Sequence, residues 1–170
     1  MEVTRIAVLL VGALACGFDL RARRVPNLLT LGAAIVAIAF HTTIGGLSGL
    51  AISLGGWAVG VALLLPLFLL GGMGAGDVKL LGALGAWLGP RDTLWVAFFS
   101  ALAGGALALV VAFTRGYAGQ ALTNLWWLLG YWRVAGVRPL PELTLEHGRG
   151  PRLAYTVPML AGVLVTVWLR

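Results

Sequence analysis

Residues 47–70 read LSGLAISLGGWAVGVALLLPLFLL, without one charged side chain. A helix of that length rises about 36 Å, enough to cross the roughly 30 Å hydrocarbon core of a bilayer. Directly after it come Gly71-Gly72-Met73-Gly74-Ala75-Gly76-Asp77, a glycine-rich turn that ends on a carboxylate. The apolar run marks the chain as a membrane protein. The turn places an ionisable group where such a run ends.

Outward from this stretch the pattern repeats. Apolar runs at 4–18, 28–44, 47–70, 77–88, 93–113 and 153–169 predict an all-α polytopic protein of six transmembrane helices. The run at 77–88 is short for a span. Pro26-Asn27 opens the second run, Gly45-Gly46 ends it, and Gly89-Pro90-Arg91-Asp92 links the fourth to the fifth. Pro66 predicts a kink in the third, and Asn27 a cap on the second. The whole chain, 1–170, reads as one membrane domain, with no repeat and no separate soluble unit.

Composition agrees. Hydrophobic residues are 60% of the chain and charged residues 11%, against about 25% charged in soluble domains. Glycine is frequent, as expected where membrane helices pack through small residues. The net charge of +6 is scattered between apolar runs, so it reads as a topology signal and not as a nucleic-acid footprint. A lone Cys16 leaves no intrachain disulfide and no Cys-rich zinc site. The apolar run before it matches a lipoprotein signal poorly, and a retained first helix is expected.

The long connection, 114–152, divides in two. Residues 121–132, ALTNLWWLLGYW, predict an interfacial helix, since Trp and Tyr favour the membrane surface. Residues 133–151 predict a loop. With six spans, Arg21, Arg23, Arg24, Lys79, Arg115, Arg133, Arg138, Arg149 and Arg152 fall on one side, and Arg5, Arg91 and Arg170 on the other. The richer side should be cytoplasmic, which puts both termini outside.

Of the six acidic residues, Glu2, Asp92, Glu142 and Glu146 lie in the N-terminal tail or in polar connections. Asp19 and Asp77 differ, because each stands where an apolar run meets a basic segment, and the topology puts both on the cytoplasmic side. Ionisable groups at membrane depth mark function by default. Two adjoining carboxylates cannot both ionise easily, so one keeps a proton and the pair works as joint acid and base on a peptide bond. That chemistry needs no metal, no cofactor and no covalent intermediate. Gly74 and Gly76 would let a substrate strand approach Asp77 closely. The plain alternative is a flexible turn with a helix-capping Asp. His41 and His147 read as surface residues.

Two motifs extend these readings. Asp19-Leu-Arg-Ala-Arg-Arg-Val-Pro-Asn27 resembles the first signature of type IV prepilin peptidases, and Gly74-Ala-Gly-Asp-Val-Lys-Leu80 their GxGDxKL signature. The resemblance implies that Asp19 and Asp77 are the catalytic pair. It also implies removal of a short basic leader from a prepilin at the cytoplasmic face of a prokaryotic inner membrane, with pilus-assembly or secretion machinery as further partners. The cysteine-bearing domain of the bifunctional members has no counterpart here, which points to the short, peptidase-only Tad/Flp-type form without methyltransferase activity. Arg21, Arg23, Arg24, Pro26 and Asn27 are motif positions open to topology, substrate or lipid roles. Lys79 is expected either to tune Asp77 or to bind lipid phosphate. Tyr155-Thr-Val-Pro158 is a loose relative of an element in the family's last helix and receives no role. Two other functions stay open: a small proton- or cation-coupled transporter using the same aspartates, and a presenilin-like protease cutting within membrane helices.

Overall fold

The computed structural model describes residues 2–138 and 154–169, and these hold six helices and no strand. They are α1 (Glu2–Ala22), α2 (Asn27–Leu69), α3 (Ala75–Leu88), α4 (Pro90–Thr114), α5 (Ala118–Ala135) and α6 (Thr156–Leu169).

Local chemistry sets the boundaries. Nothing in Asp19-Leu-Arg-Ala breaks a helix, so α1 runs through Asp19 instead of ending at it. It stops where Arg23 turns to φ 51°, a left-handed end in which the Arg23 N–H donates to the Asp19 carbonyl at 2.8 Å. Pro26 is extended at φ −61° and ψ 134° and precedes the first residue of α2.

The 43 residues of α2 would make a rod about 64 Å long if straight. They do not. Gly46 leaves the helical region, at φ 57° and ψ −140°, and a side chain at Gly49 would collide with the His41 carbonyl. Residues eight apart on a straight helix stand about 12 Å from each other, so the chain folds back at Gly46. Two antiparallel arms result, 27–45 and 47–69, close to the separate segments the sequence predicts. Backbone angles stay helical through Pro66, and the break falls at Gly46 alone.

α3 is the centre of the bundle. Val78 and every residue from Leu80 to Trp87 are buried. Its partner is the second arm of α2, where Gly56 and Gly60 form a small-xxx-small pair. A methyl group on Gly56 would meet the Gly85 backbone, and one on Gly60 would sit 2.5 Å from the Leu81 carbonyl oxygen. Backbone therefore lies on backbone. Ser53 Oγ donates to the Ala86 carbonyl at 2.8 Å across the same seam. α4 and α6 pack likewise, with Gly162 against the Val96 carbonyl and Gly104 against the Tyr155 ring.

The helices alternate between two ends. Asp19, Asn27, Asp77 and Thr156 share one end. Arg5, His41, Trp87, Asp92 and Thr166 line a cavity of about 520 Å³ at the other. His41 is half-buried there, within 3.0 Å of the Trp87 carbonyl oxygen through Nε2 and edge-on to Phe40. The expectation of a plain surface histidine is thereby corrected.

Three helices are long and apolar enough to cross a membrane: α1, α2 and α4. Their outer faces carry Leu10, Leu28, Leu47 and Phe113, all more than half exposed, as lipid-facing residues would be. The expected six spans are not all of that length. α3 and α6 have 14 residues each, about 21 Å of rise, short of a 30 Å core. α5 is longer than the 121–132 expected. It takes in Arg133 from the expected loop and exposes Trp126 and Trp127. Residues 139–153, which include the rest of that loop, lie outside the described residues, Glu142, Glu146, His147, Arg149 and Arg152 among them.

Candidate active site

Asp19 sits in the last turn of α1 and Asp77 in the first turn of α3. Gly71, at φ 74°, ends α2 and turns the chain, with the Gly72 N–H donating back to the Leu67 carbonyl at 2.9 Å. Extended Gly74 then precedes α3. A side chain on Gly74 would stand 3.3 Å from Asp77 Oδ2, so the missing Cβ leaves the carboxylate room to fold back over the helix start. Gly76 and Lys79, expected in an active-site loop, are instead in the opening turns of α3. Gly76 lies against Val25 of the other motif, with 3.5 Å between its added Cβ and the Val25 Cβ.

The two motifs therefore touch. Lys79 Nζ donates to Asn27 Oδ1 at 2.9 Å. That bond corrects one expectation. Asn27 does not cap α2, because its side chain is turned to Lys79 and the cap position belongs to Pro26 with no side-chain hydrogen bond. Lys79 is exposed and spends one N–H on Asn27.

Asp77 lies outside the three spans. Burial, and then the charge of Asp19, push its carboxyl up from 3.8 to about 6, while a backbone hydrogen bond at Gly74 opposes them. The order of causes matters. Desolvation alone favours the protonated form, and a neighbouring carboxylate adds to it. A carboxyl that titrates near neutrality, next to a second one, can hold a proton and release it under physiological conditions.

Two further residues reach the pair, and sequence reasoning gave neither a role. Thr156, the first residue of α6, donates from Oγ1 to Asp19 Oδ2 at 2.8 Å. Burial, and then the nearby Asp77 charge, raise the Tyr155 phenol above its ordinary value of 10.0. Arg21, Arg23 and Arg24 are exposed, and none forms an ion pair among the described residues. Pro26 is half-buried beneath them.

An apolar helical bundle with two carboxylates converging at one end defines a membrane-protein site suited to acid–base chemistry. The family model for type IV leader peptidases matches residues 6–109, which contain both aspartates, all of α2 and α3, and most of α1 and α4. The chain belongs to the type IV leader peptidase family and is a peptidase of that kind. No curated protein and no solved structure matches it. The matched segment stops short of α6, and so of Tyr155 and Thr156.

Proposed function

We propose that the protein is an aspartic prepilin leader peptidase, with Asp19 and Asp77 as its catalytic pair. The observation that carries this reading is the convergence of the two motifs. Asp77 lies within the field of Asp19, and Lys79 is bonded to Asn27. The pair holds one proton. Its ionised member takes a proton from water as the water oxygen attacks the scissile carbonyl carbon. Its protonated member hydrogen-bonds, then protonates, the carbonyl oxygen. The tetrahedral intermediate collapses, the C–N bond breaks, and the amine leaves with a proton. One new carboxyl and one new amine result, and the pair regains its single shared proton.

The substrate in this reading is a Tad/Flp-type prepilin, cut between its basic leader and its apolar helix. Arg21, Arg23, Arg24, Lys79 and Arg115 lie towards the aspartate end, against Arg5 and Arg91 at the other, so the positive-inside bias makes the aspartate end cytoplasmic. Both termini then face outward across an inner membrane. α5, with Trp126 and Trp127 exposed, lies along the interface, and Gly74 keeps a side chain from the Asp77 carboxylate, where an added Cβ would stand 3.3 Å from Oδ2.

The test is incubation of the purified protein with a pilin-type precursor in detergent or proteoliposomes, with product masses measured. A single cut at the leader–helix junction is expected. An intact precursor, or a cut within the apolar helix, would contradict the reading.

A further inference from the structure

Asp19 stands in the last turn of α1, and the residues that follow it are exposed and basic. Leu20, Arg21, Ala22, Arg23 and Arg24 all face solvent. A carboxylate in that setting is expected to turn towards the arginines. It does not, and among the described residues its side-chain hydrogen-bond partner is Thr156, at 2.8 Å. Thr156 is 1% exposed. Its own position is fixed from two sides. The preceding Tyr155 lies with its ring against Gly104 of α4, where an added Cβ would come within 2.9 Å of Cε2. Leu160, one turn on, lies against Gly12 of α1, with 3.1 Å between its Cδ1 and an added Cβ there. Glycines on α1 and α4 thus let the start of α6 close on the carboxylate.

We propose that Thr156 is a positioning residue for peptide-bond hydrolysis, its hydroxyl holding Asp19 Oδ2 so that Oδ1 is left to the attacking water. This inference rests on Asp19 being catalytic. A hydroxyl carries one proton to donate, and the carboxylate oxygen is its acceptor here. Without it, Asp19 keeps its place on α1 but loses the contact that selects its rotamer. The acid–base pair is then formed in only part of the population. The other charged groups near this corner are Asp77 on α3, Lys79, which is bonded to Asn27, and the solvent-facing arginines. None of them replaces a donor buried at the start of α6.

The experiment compares wild type, Thr156→Val, Thr156→Ser and Asp19→Asn on one pilin-type precursor, with kcat and KM separated and thermal midpoints measured in detergent. Val keeps the shape and removes the donor, while Ser keeps the donor. A hydrogen bond to a charged group predicts a fall in kcat of about ten- to a hundredfold for Thr156→Val, with KM within about twofold. Thr156→Ser should stay within about threefold of wild type. If Thr156→Val proves unfolded, Thr156→Ala takes its place with the same expectation. Unchanged kcat in the variant lacking the donor, a loss confined to KM, or equal losses for Ser and Val would each overturn the inference while wild-type cleavage and an inactive Asp19→Asn leave the catalytic reading standing. If the wild type leaves the precursor intact, or Asp19→Asn cleaves it normally, that reading falls and the role of Thr156 falls with it.

Discussion

The two ends of the bundle join their helices through different polar groups. At the end opposite the aspartates, Ser53 donates to the Ala86 carbonyl, His41 meets the Trp87 carbonyl and Thr93 donates to the Gly89 carbonyl. Each is a side chain bound to backbone, and each ties one helix to a neighbour or closes a turn. At the aspartate end the hydrogen bonds that join separate helices run from side chain to side chain, Thr156 to Asp19 and Lys79 to Asn27, and Asp77 feels the charge of Asp19. Backbone carbonyls cannot change protonation or rotamer, so the first set holds a shape. Carboxylates can do both, so the second set is equipped for chemistry. α3 joins the two, because it is buried from Leu80 to Trp87 and carries Asp77 at one end and Trp87 at the other.

This contrast breaks first at the glycine seam. Gly85→Leu would drive a side chain into the Gly56 backbone and to within 2.9 Å of Thr93 Oγ1, and neither neighbour is a flexible tip. We expect a loss of about 3 kcal/mol or more and little folded protein in detergent, measured by thermal unfolding and yield. Activity should vanish with the fold, because α3 is what carries Asp77.

A smaller effect of opposite sign is expected at the other end. The Asp77 carboxyl is raised from 3.8 to about 6, so the folded protein holds its proton more tightly than the unfolded chain does. Its contribution to stability is therefore fullest below pH 4 and is lost as pH rises through 6. Asp77→Asn removes that penalty. The variant should be more stable than wild type above pH 6, by about 1–3 kcal/mol, and equal to it near pH 4. Unfolding midpoints at the two pH values check this. A variant less stable at pH 7 would show that the carboxylate holds the fold. The smallest change is Ser53→Ala, about 1 kcal/mol of stability with kcat unchanged, as befits a bond that only holds shape.

Much of this was legible in the sequence, for physical reasons. Charges are so sparse in the apolar runs that Asp19 and Asp77 stand out, and Gly45-Gly46 and Gly89-Pro90 punctuate helices wherever they occur. The aspartates' shared end followed from counting turns. Other features carry no local signal. Nothing near Asn27 shows that Lys79 will take its side chain away from the helix cap. The short α3 looks like a deficient span until its glycines are seen against those of α2. Thr156 lies 137 positions from Asp19, and one threonine at a helix start is ordinary. The loose Tyr155-Thr-Val-Pro158 element was the one available pointer to α6, and its meaning came only with the fold.

The central claim is that two carboxylates act as one unit, and a double-mutant cycle measures that directly. Cleavage rates would be compared for wild type, Asp19→Asn, Asp77→Asn and the double variant on a single pilin-type precursor. Residues acting as a unit are grossly non-additive. Each single variant should lose at least about a thousandfold, and the double variant no more than either alone. A single variant retaining most of the wild-type rate, or losses that multiply in the double variant, would contradict the pair.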